Sequence, residues 1–298
     1  MCGVVGLYLK NPELHSSLGE LFSPMLLAMT ARGPDSAGFA FYGNEVDRNK
    51  VKFTLRQSVA DWSWQQLVDS LRGKFGTDVE ITTNANSATL VLAGEFKTVR
   101  QHIETFSDQI TVLSMGQRIE ILKEVGRPEQ IAKQYGLGEV KGTHIIGHTR
   151  MATESAVTSD GSHPFSAGMD LCLVHNGSFS NHNQLREALI LKGFNFETEN
   201  DTEVAAVYLT WQLSIGKSLE EALEAALVDL DGFYTLAVGT KNGFAVLRDP
   251  IACKPATMAE TNDYVAIASE YQSLAKLPGI SSAHLWEPEP AVVYCWGN

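Results

Sequence analysis

Cysteine is scarce in this 298-residue chain. Its copies, Cys2, Cys172, Cys253 and Cys295, are far apart and form no CxxC pair, which argues against a disulfide framework or a zinc–thiolate site and fits a reducing compartment. Long apolar runs are missing as well. None approaches the ~18–20 residues of a membrane span. No basic region precedes the short apolar stretch 4–9, so neither a membrane protein nor a secretory signal is expected, and a cytoplasmic location is. Basic residues are in deficit, 23 Lys+Arg against 35 Asp+Glu, and the formal charge of −12 speaks against nucleic acid as a partner. Repeats, low-complexity tracts and linkers are absent. What is present is a chain with 44% hydrophobic residues, suited to a soluble globular protein of one large domain or two modest ones.

The charge is unevenly placed. Residues 44–142 hold 13 basic and 13 acidic residues, so the whole negative excess lies in the flanks. A neutral block between acidic flanks reads as an insertion with its own surface. Trp62, Trp64 and Leu67 within it are candidates for a surface that docks a partner, since interface cores are rich in aromatics and poor in net charge. A lobe packed on its own core is the equal alternative.

Apolar spacing predicts strands at 4–9, 37–42, 144–150 and 171–175, and again at 233–238, 244–247, 264–268 and 291–296. A helix with Leu14, Leu18, Phe22, Met25 and Leu26 at helical spacing runs from Pro12 to the turn Arg32-Gly33-Pro34-Asp35. Within the neutral block, strands are predicted at 51–55, 88–92 and 110–115 and helices at 62–71 and 128–135. Three more helices are signalled by Asn181 as a cap, by Asn200 with Glu203 as a capping box, and by Ser218 with Glu221 as another. Strands at both ends with helices between them suggest two sheets sandwiched by helices.

Cys2 directly follows the initiator. If Met1 is removed, the Cys2 thiol and α-amine lie on adjacent carbons, and near neutral pH the amine can act as base for its own thiol. Alone, this is as well explained by a buried cysteine opening a strand. Four further islands accompany it: Arg32-Gly33-Pro34-Asp35-Ser36-Ala37-Gly38, Gly147-His148-Thr149-Arg150-Met151-Ala152-Thr153, His175-Asn176-Gly177 and Asn200-Asp201-Thr202-Glu203. Each has a plain structural reading: Asn-Gly as a turn, Asp201 as a helix cap, Arg150 as a surface ion pair. Arg32 reads as a brace for its turn. His144 and His148 share a strand face, but no carboxylate or cysteine sits at ligand spacing, so no metal is expected.

Taken in order, the islands resemble the glutaminase domain of the class II glutamine amidotransferases, which use an N-terminal nucleophile. The resemblance spans the chain and is weakest over 44–142. It implies an α+β, four-layer αββα sandwich of the N-terminal-nucleophile hydrolase type, a single type-2 domain over 2–298 with an insertion at 44–142, and no cofactor. It implies that Cys2 attacks the side-chain amide of glutamine and forms a thioester, with Asn176 and Gly177 as oxyanion donors. Arg150 would hold the substrate α-carboxylate and Asp201 its α-amino group. Thr153, with the loop to Pro164, would close over the substrate.

The family's larger synthases, such as glucosamine-6-phosphate synthase and the amidophosphoribosyltransferases, carry an acceptor domain after the glutaminase domain. Here a separate synthase subunit is expected as partner in a hetero-oligomer. The motif around Arg150, the run 230–235 and Ala268-Ser269-Glu270-Tyr271 resemble the separate amidotransferase subunit of glutamate-synthase-related complexes such as N-methylglutamate synthase. Met151 departs from the aromatic usual after the motif arginine. Two competing readings stand beside this: a catalytically idle glutamine- or glutamate-binding subunit of such a complex, and a self-processing amidase, disfavoured because only one residue precedes Cys2.

Overall fold

The computed structural model describes residues 2–59, 62–151 and 157–297. Two sheets lie face to face. The larger has seven strands in the order β15 (His284–Trp286), β13 (Thr257–Glu260), β14 (Tyr264–Ala268), β1 (Gly3–Leu9), β8 (His144–Arg150), β2 (Ser36–Tyr42) and β7 (Ile119–Val125), every neighbouring pair antiparallel. The smaller has five, in the order β16 (Val293–Trp296), β12 (Phe244–Arg248), β11 (Gly232–Gly239), β10 (Leu171–Phe179) and β9 (Phe165–Gly168).

Strand β1 shows why the sandwich has four layers. Alternate residues of a strand face opposite ways. Val5, Leu7 and Leu9 point outward into a core shared with helix α1 (Leu18–Ala28), whose Leu18, Phe22, Met25 and Leu26 are buried there, and with α4 (Pro128–Gln134). Val4 points the other way, into the layer between the sheets, with Ile146, Cys172, Val174, Ala237 and Phe244. Both faces are covered, so the strand reads as a nearly unbroken apolar run. Gly6 sits where a Cβ would collide with the Phe244 ring. On the far side, the smaller sheet is covered by α5 (His182–Ile190), α6 (Asp201–Ser214) and α7 (Leu219–Asp229). Helix α6 buries Val204 through Leu209 almost completely and is apolar all round, as a helix enclosed by other elements must be.

Capping differs from expectation at two of the three helices. Ser218 and Glu221 form the predicted box. Asn181 instead spends its amide on the α7–β11 turn, bonding the Asp229 carbonyl and the Asp231 N–H. Asn200 caps α6 by accepting from Thr202 N, but Glu203 reaches back to Glu197 N and Thr198 N rather than to the cap.

The charge-neutral segment divides. Strands β3 (Lys50–Gln57), β4 (Val79–Asn84), β5 (Ser87–Ala93) and β6 (Ile110–Gly116) form their own sheet, ordered β4-β5-β3-β6, with α2 (Trp64–Phe75) and α3 (Phe96–Phe106) on one face. Val51, Phe53 and Leu55 of β3 join Leu67, Leu71, Val99 and Ile103 in a separate core. By contrast β7 and α4, from the same segment, belong to the main sandwich. The other face of β3 meets β7 across a polar seam. Lys52 pairs with Glu120 at 3.0 Å, Asn86 donates to Glu124 at 2.7 Å, and Arg56 pairs with Asp160. Trp62 and Trp64 pack edge to face, centroids 5.1 Å apart, and Trp62 meets Phe106 the same way; both rest on the lobe's own core. This favours the self-packed lobe over the docking surface.

Candidate active site

Cys2 precedes β1, whose position deep in the larger sheet fixes it from three sides. Gly3 is paired with Thr149, so Cys2 lies one register step on, beside Arg150, which ends β8 and is also paired with Ser36. Val4 is held by Ser269, whose hydroxyl accepts from Val4 N and whose N–H donates to Val4 O, both at 2.9 Å. Arg32 Nε donates to the Cys2 carbonyl at 3.1 Å, and Arg32 Nη1 pairs with Glu270 at 2.6 Å. Arg32 is therefore more than a turn brace: it connects the start of the chain to the segment after β14. Its approach depends on Gly33, where a Cβ would collide with the Thr149–Arg150 peptide.

Asn176 lies across the interlayer on β10. It continues the Cys172–Val174 face and so borders the same layer as Val4 and, two residues earlier, Cys2. It is 3% exposed and, among the described residues, its Nδ2 has no hydrogen-bond partner. A buried amide donor without an acceptor costs about 1–3 kcal/mol, so such a group invites a ligand oxygen. Gly177 has φ 151°, and a Cβ there would collide with the Phe233 carbonyl of β11. The dipeptide is a strand feature with an enforced glycine, and not a turn.

Arg150 and the start of α6 meet at one atom: the Gly161 carbonyl accepts from Arg150 Nη1 and from Asn200 Nδ2, both at 3.2 Å. Asp201 is the first residue of α6, and its Oδ2 accepts from Phe179 N at 3.0 Å. Thr153 lies outside the described residues.

The sequence drew attention to His144, His148, His163 and His175 as neighbours in the motif regions, but not to the buried, stacked array that three of them form. His148 and His163 stack with centroids 3.9 Å apart, His163 and His175 at 5.4 Å, and Thr202 Oγ1 bridges His163 Nε2 and His175 Nδ1 at 3.0 and 2.7 Å. Burial holds all three imidazoles below their usual range, His148 at about 3. For His175 the Asp201 carboxylate works against that effect. His148 and His144 do share a face, as expected, but His144 stacks on Tyr42 and bonds the Thr240 carbonyl, away from the array. Among the described residues, no group of three or more His, Cys, Asp or Glu is arranged to hold a metal ion, and no helix is long and apolar enough to cross a membrane.

A cleft of about 1060 Å³ separates the lobe from the sandwich, lined among others by Arg100, Lys123, Phe165, Glu197 and Glu203. Lys123 Nζ, on the cleft side, donates to the carbonyls of Asp160 and Ser162, which flank Gly161. Burial lowers Lys123 to about 8.

Residues 148–276 match the family described as glutamine amidotransferase domain. The chain is 50% identical over 299 residues to the glutamine amidotransferase-like protein GlxB of Rhizobium meliloti, covering 100% of this chain and 99% of that protein. It is 37% identical over 308 residues to a putative glutamine amidotransferase of Methanothermobacter thermautotrophicus, covering 99% of each. In fold it is similar to the glutamine phosphoribosylpyrophosphate amidotransferase of B. subtilis, with a TM-score of 0.64 at 20% identity over 100% of this chain and 47% of that one.

Proposed function

The chain belongs to the glutamine amidotransferase family, and from that premise we propose that it hydrolyses the side-chain amide of glutamine through Cys2. The observation that carries this reading is the unpartnered, buried Nδ2 of Asn176 beside the enforced glycine at 177. Removal of Met1 would free the Cys2 amine, which takes the thiol proton as Sγ attacks the amide carbon. The oxyanion that forms is met by Asn176 Nδ2 and Gly177 N–H, donors of the kind whose individual loss costs about 2.7–4 kcal/mol. As the C–N bond breaks, the ammonium formed on Cys2 returns its proton to the leaving ammonia. Water then cleaves the thioester to glutamate.

Arg150 suits the substrate α-carboxylate, because its planar fork bonds carboxylates in pairs. Asp201 suits the α-ammonium, and the Gly161 carbonyl, shared by Arg150 and the neighbouring Asn200, ties Arg150 to the start of α6. Thr153 and its loop are proposed to close over the substrate.

The ammonia would pass to a separate synthase subunit, of the glutamate synthase or N-methylglutamate synthase type. In support, the relatives at 50% and 37% identity align with this chain over 99% of their own length. The unpartnered donor of Asn176 favours retained chemistry over an idle binding subunit. Glutamate and ammonia release is expected from glutamine with the purified chain, and more in the presence of a co-purified synthase. No release in either preparation overturns the proposal.

A further inference from the structure

We infer that Thr202, His163 and His175 form a proton-ordered relay that positions the Asp201 carboxylate for an incoming ammonium group. The inference rests on the reading of Asp201 as the substrate's amino clamp. None of the three relay residues needs to touch the ligand, so they are positioning residues.

The order follows from counting protons. The main-chain N–H of His175 donates to His163 Nδ1 at 3.5 Å, so this nitrogen carries a lone pair. A neutral His163 then has its proton on Nε2, 3.0 Å from Thr202 Oγ1, which accepts it. The single hydroxyl proton of Thr202 is left for His175 Nδ1, at 2.7 Å. His175 must therefore carry its own proton on Nε2, the nitrogen that lies 3.7 Å from Asp201 Oδ2. Were His175 protonated on Nδ1 instead, Thr202 would accept from both rings and its hydroxyl could turn only toward Asp201 Oδ1, at the longer distance of 3.5 Å. That tautomer would also leave a lone pair of His175 facing a carboxylate, which is repulsive.

Neutrality of the rings is secured by burial: Thr202 is 0% exposed and both histidines are 5%. The face-to-face stack of His148 on His163 holds the ring plane from the β8 side, two residues from Arg150. On Asp201, Oδ2 accepts from Phe179 N–H at 3.0 Å, and His175 Nε2 stands 3.7 Å from the same oxygen, a charge–dipole contact longer than a hydrogen bond. Oδ1, 3.5 Å from Thr202 Oγ1, is the oxygen left to meet the ammonium group.

The tautomers can be read directly. In two-bond ¹H–¹⁵N spectra of the histidine-labelled full chain at neutral pH, His163 and His175 are expected as neutral Nε2–H tautomers. Finding His175 as the Nδ1–H tautomer or as imidazolium overturns the relay, whatever the activity. For kinetics, Thr202→Val removes the bridge at nearly constant volume and is expected to raise the glutamine KM about tenfold, with kcat held within about threefold. Thr202→Ser is expected to restore KM. An unchanged KM in a folded Thr202→Val chain, or a failure of serine to restore it, overturns the inference. If the wild-type chain turns over no glutamine, the activity reading falls separately. The relay is then tested by calorimetric titration with glutamine, where equal Kd for wild type and Thr202→Val overturns it.

Discussion

Arg32 donates from Nε to the main-chain carbonyl of Cys2 while its Nη1 is paired with Glu270, 238 positions further along the chain. The proposed nucleophile is thus located by a side chain from the first turn and by the segment that follows β14. The Arg32 side chain is 11% exposed, which favours a bond of defined geometry over a fluctuating surface pair. Glu270→Gln keeps the shape but removes the charge that orients Arg32. It is expected to lower kcat for glutamine hydrolysis by about tenfold, with the glutamine KM little changed. Steady-state kinetics on the two proteins checks this, and an unaltered kcat removes Arg32 and Glu270 from the site.

The mature chain is expected to begin at Cys2, seen as the loss of one methionine in intact-mass analysis. A diazo-ketone analogue of glutamine should then modify Cys2. Cys172 is fully buried and its thiol is pushed up to about 12, and Cys295 to about 11, so neither competes as a nucleophile. Cys253 is exposed and serves as the control. It should react with a general alkylating reagent but not with the glutamine analogue.

Substitutions in the two halves of the site should separate binding from chemistry. Arg150→Lys retains charge but loses the fork and is expected chiefly to raise KM. Asn176→Ala removes a donor that matters most in the transition state and is expected to lower kcat about 100- to 1000-fold. The opposite assignment of effects would mean that the two roles had been exchanged.

Lys123 provides a pH test. Its folded value of about 8 lies below the ordinary 10.5 because of burial, so between those limits the unfolded chain binds more protons and stability rises with pH. Relative to a Lys123→Met chain, the wild type should gain up to about 1.4 kcal/mol per pH unit above pH 8, with no differential change below it. Urea titrations of both proteins at pH 7, 9 and 10 measure this.

For the lobe, Trp62→Glu should lower the thermal midpoint by unseating Trp62 from Trp64 and Phe106, at about 2 kcal/mol or more for a partly buried aromatic. A fully retained midpoint with loss of a co-purifying partner would return Trp62 to the role of a docking residue.

The elements best legible in the sequence were those with apolar residues on both faces. β1, β2, β8 and residues 171–176 of β10 announced themselves because no exposed position interrupts them. β7 did not, since Glu120 and Glu124 on the polar seam and Lys123 on the opposite face disguise a strand that is paired with β2. β4 is exposed at most positions, which explains its silence. The islands at 32–38, 148–153, 175–177 and 200–203 marked where the site's residues come from. The connections among them were not legible. That Thr202 bonds His163 and His175, or that Gly161 joins Arg150 to Asn200, depends on contacts between segments whose spacing carries no periodic signal.

Strand β1 pairs with residues 144–149 on one side and 264–268 on the other. During synthesis, at about 5–20 residues per second, the beginning of the chain waits on the order of ten seconds or more before its second partner emerges. Throughout that interval Cys2 has neither Ser269 nor Glu270 to fasten it. The placement of β1 between strands from such distant parts of the chain thus makes the fixing of Cys2 a late event in folding.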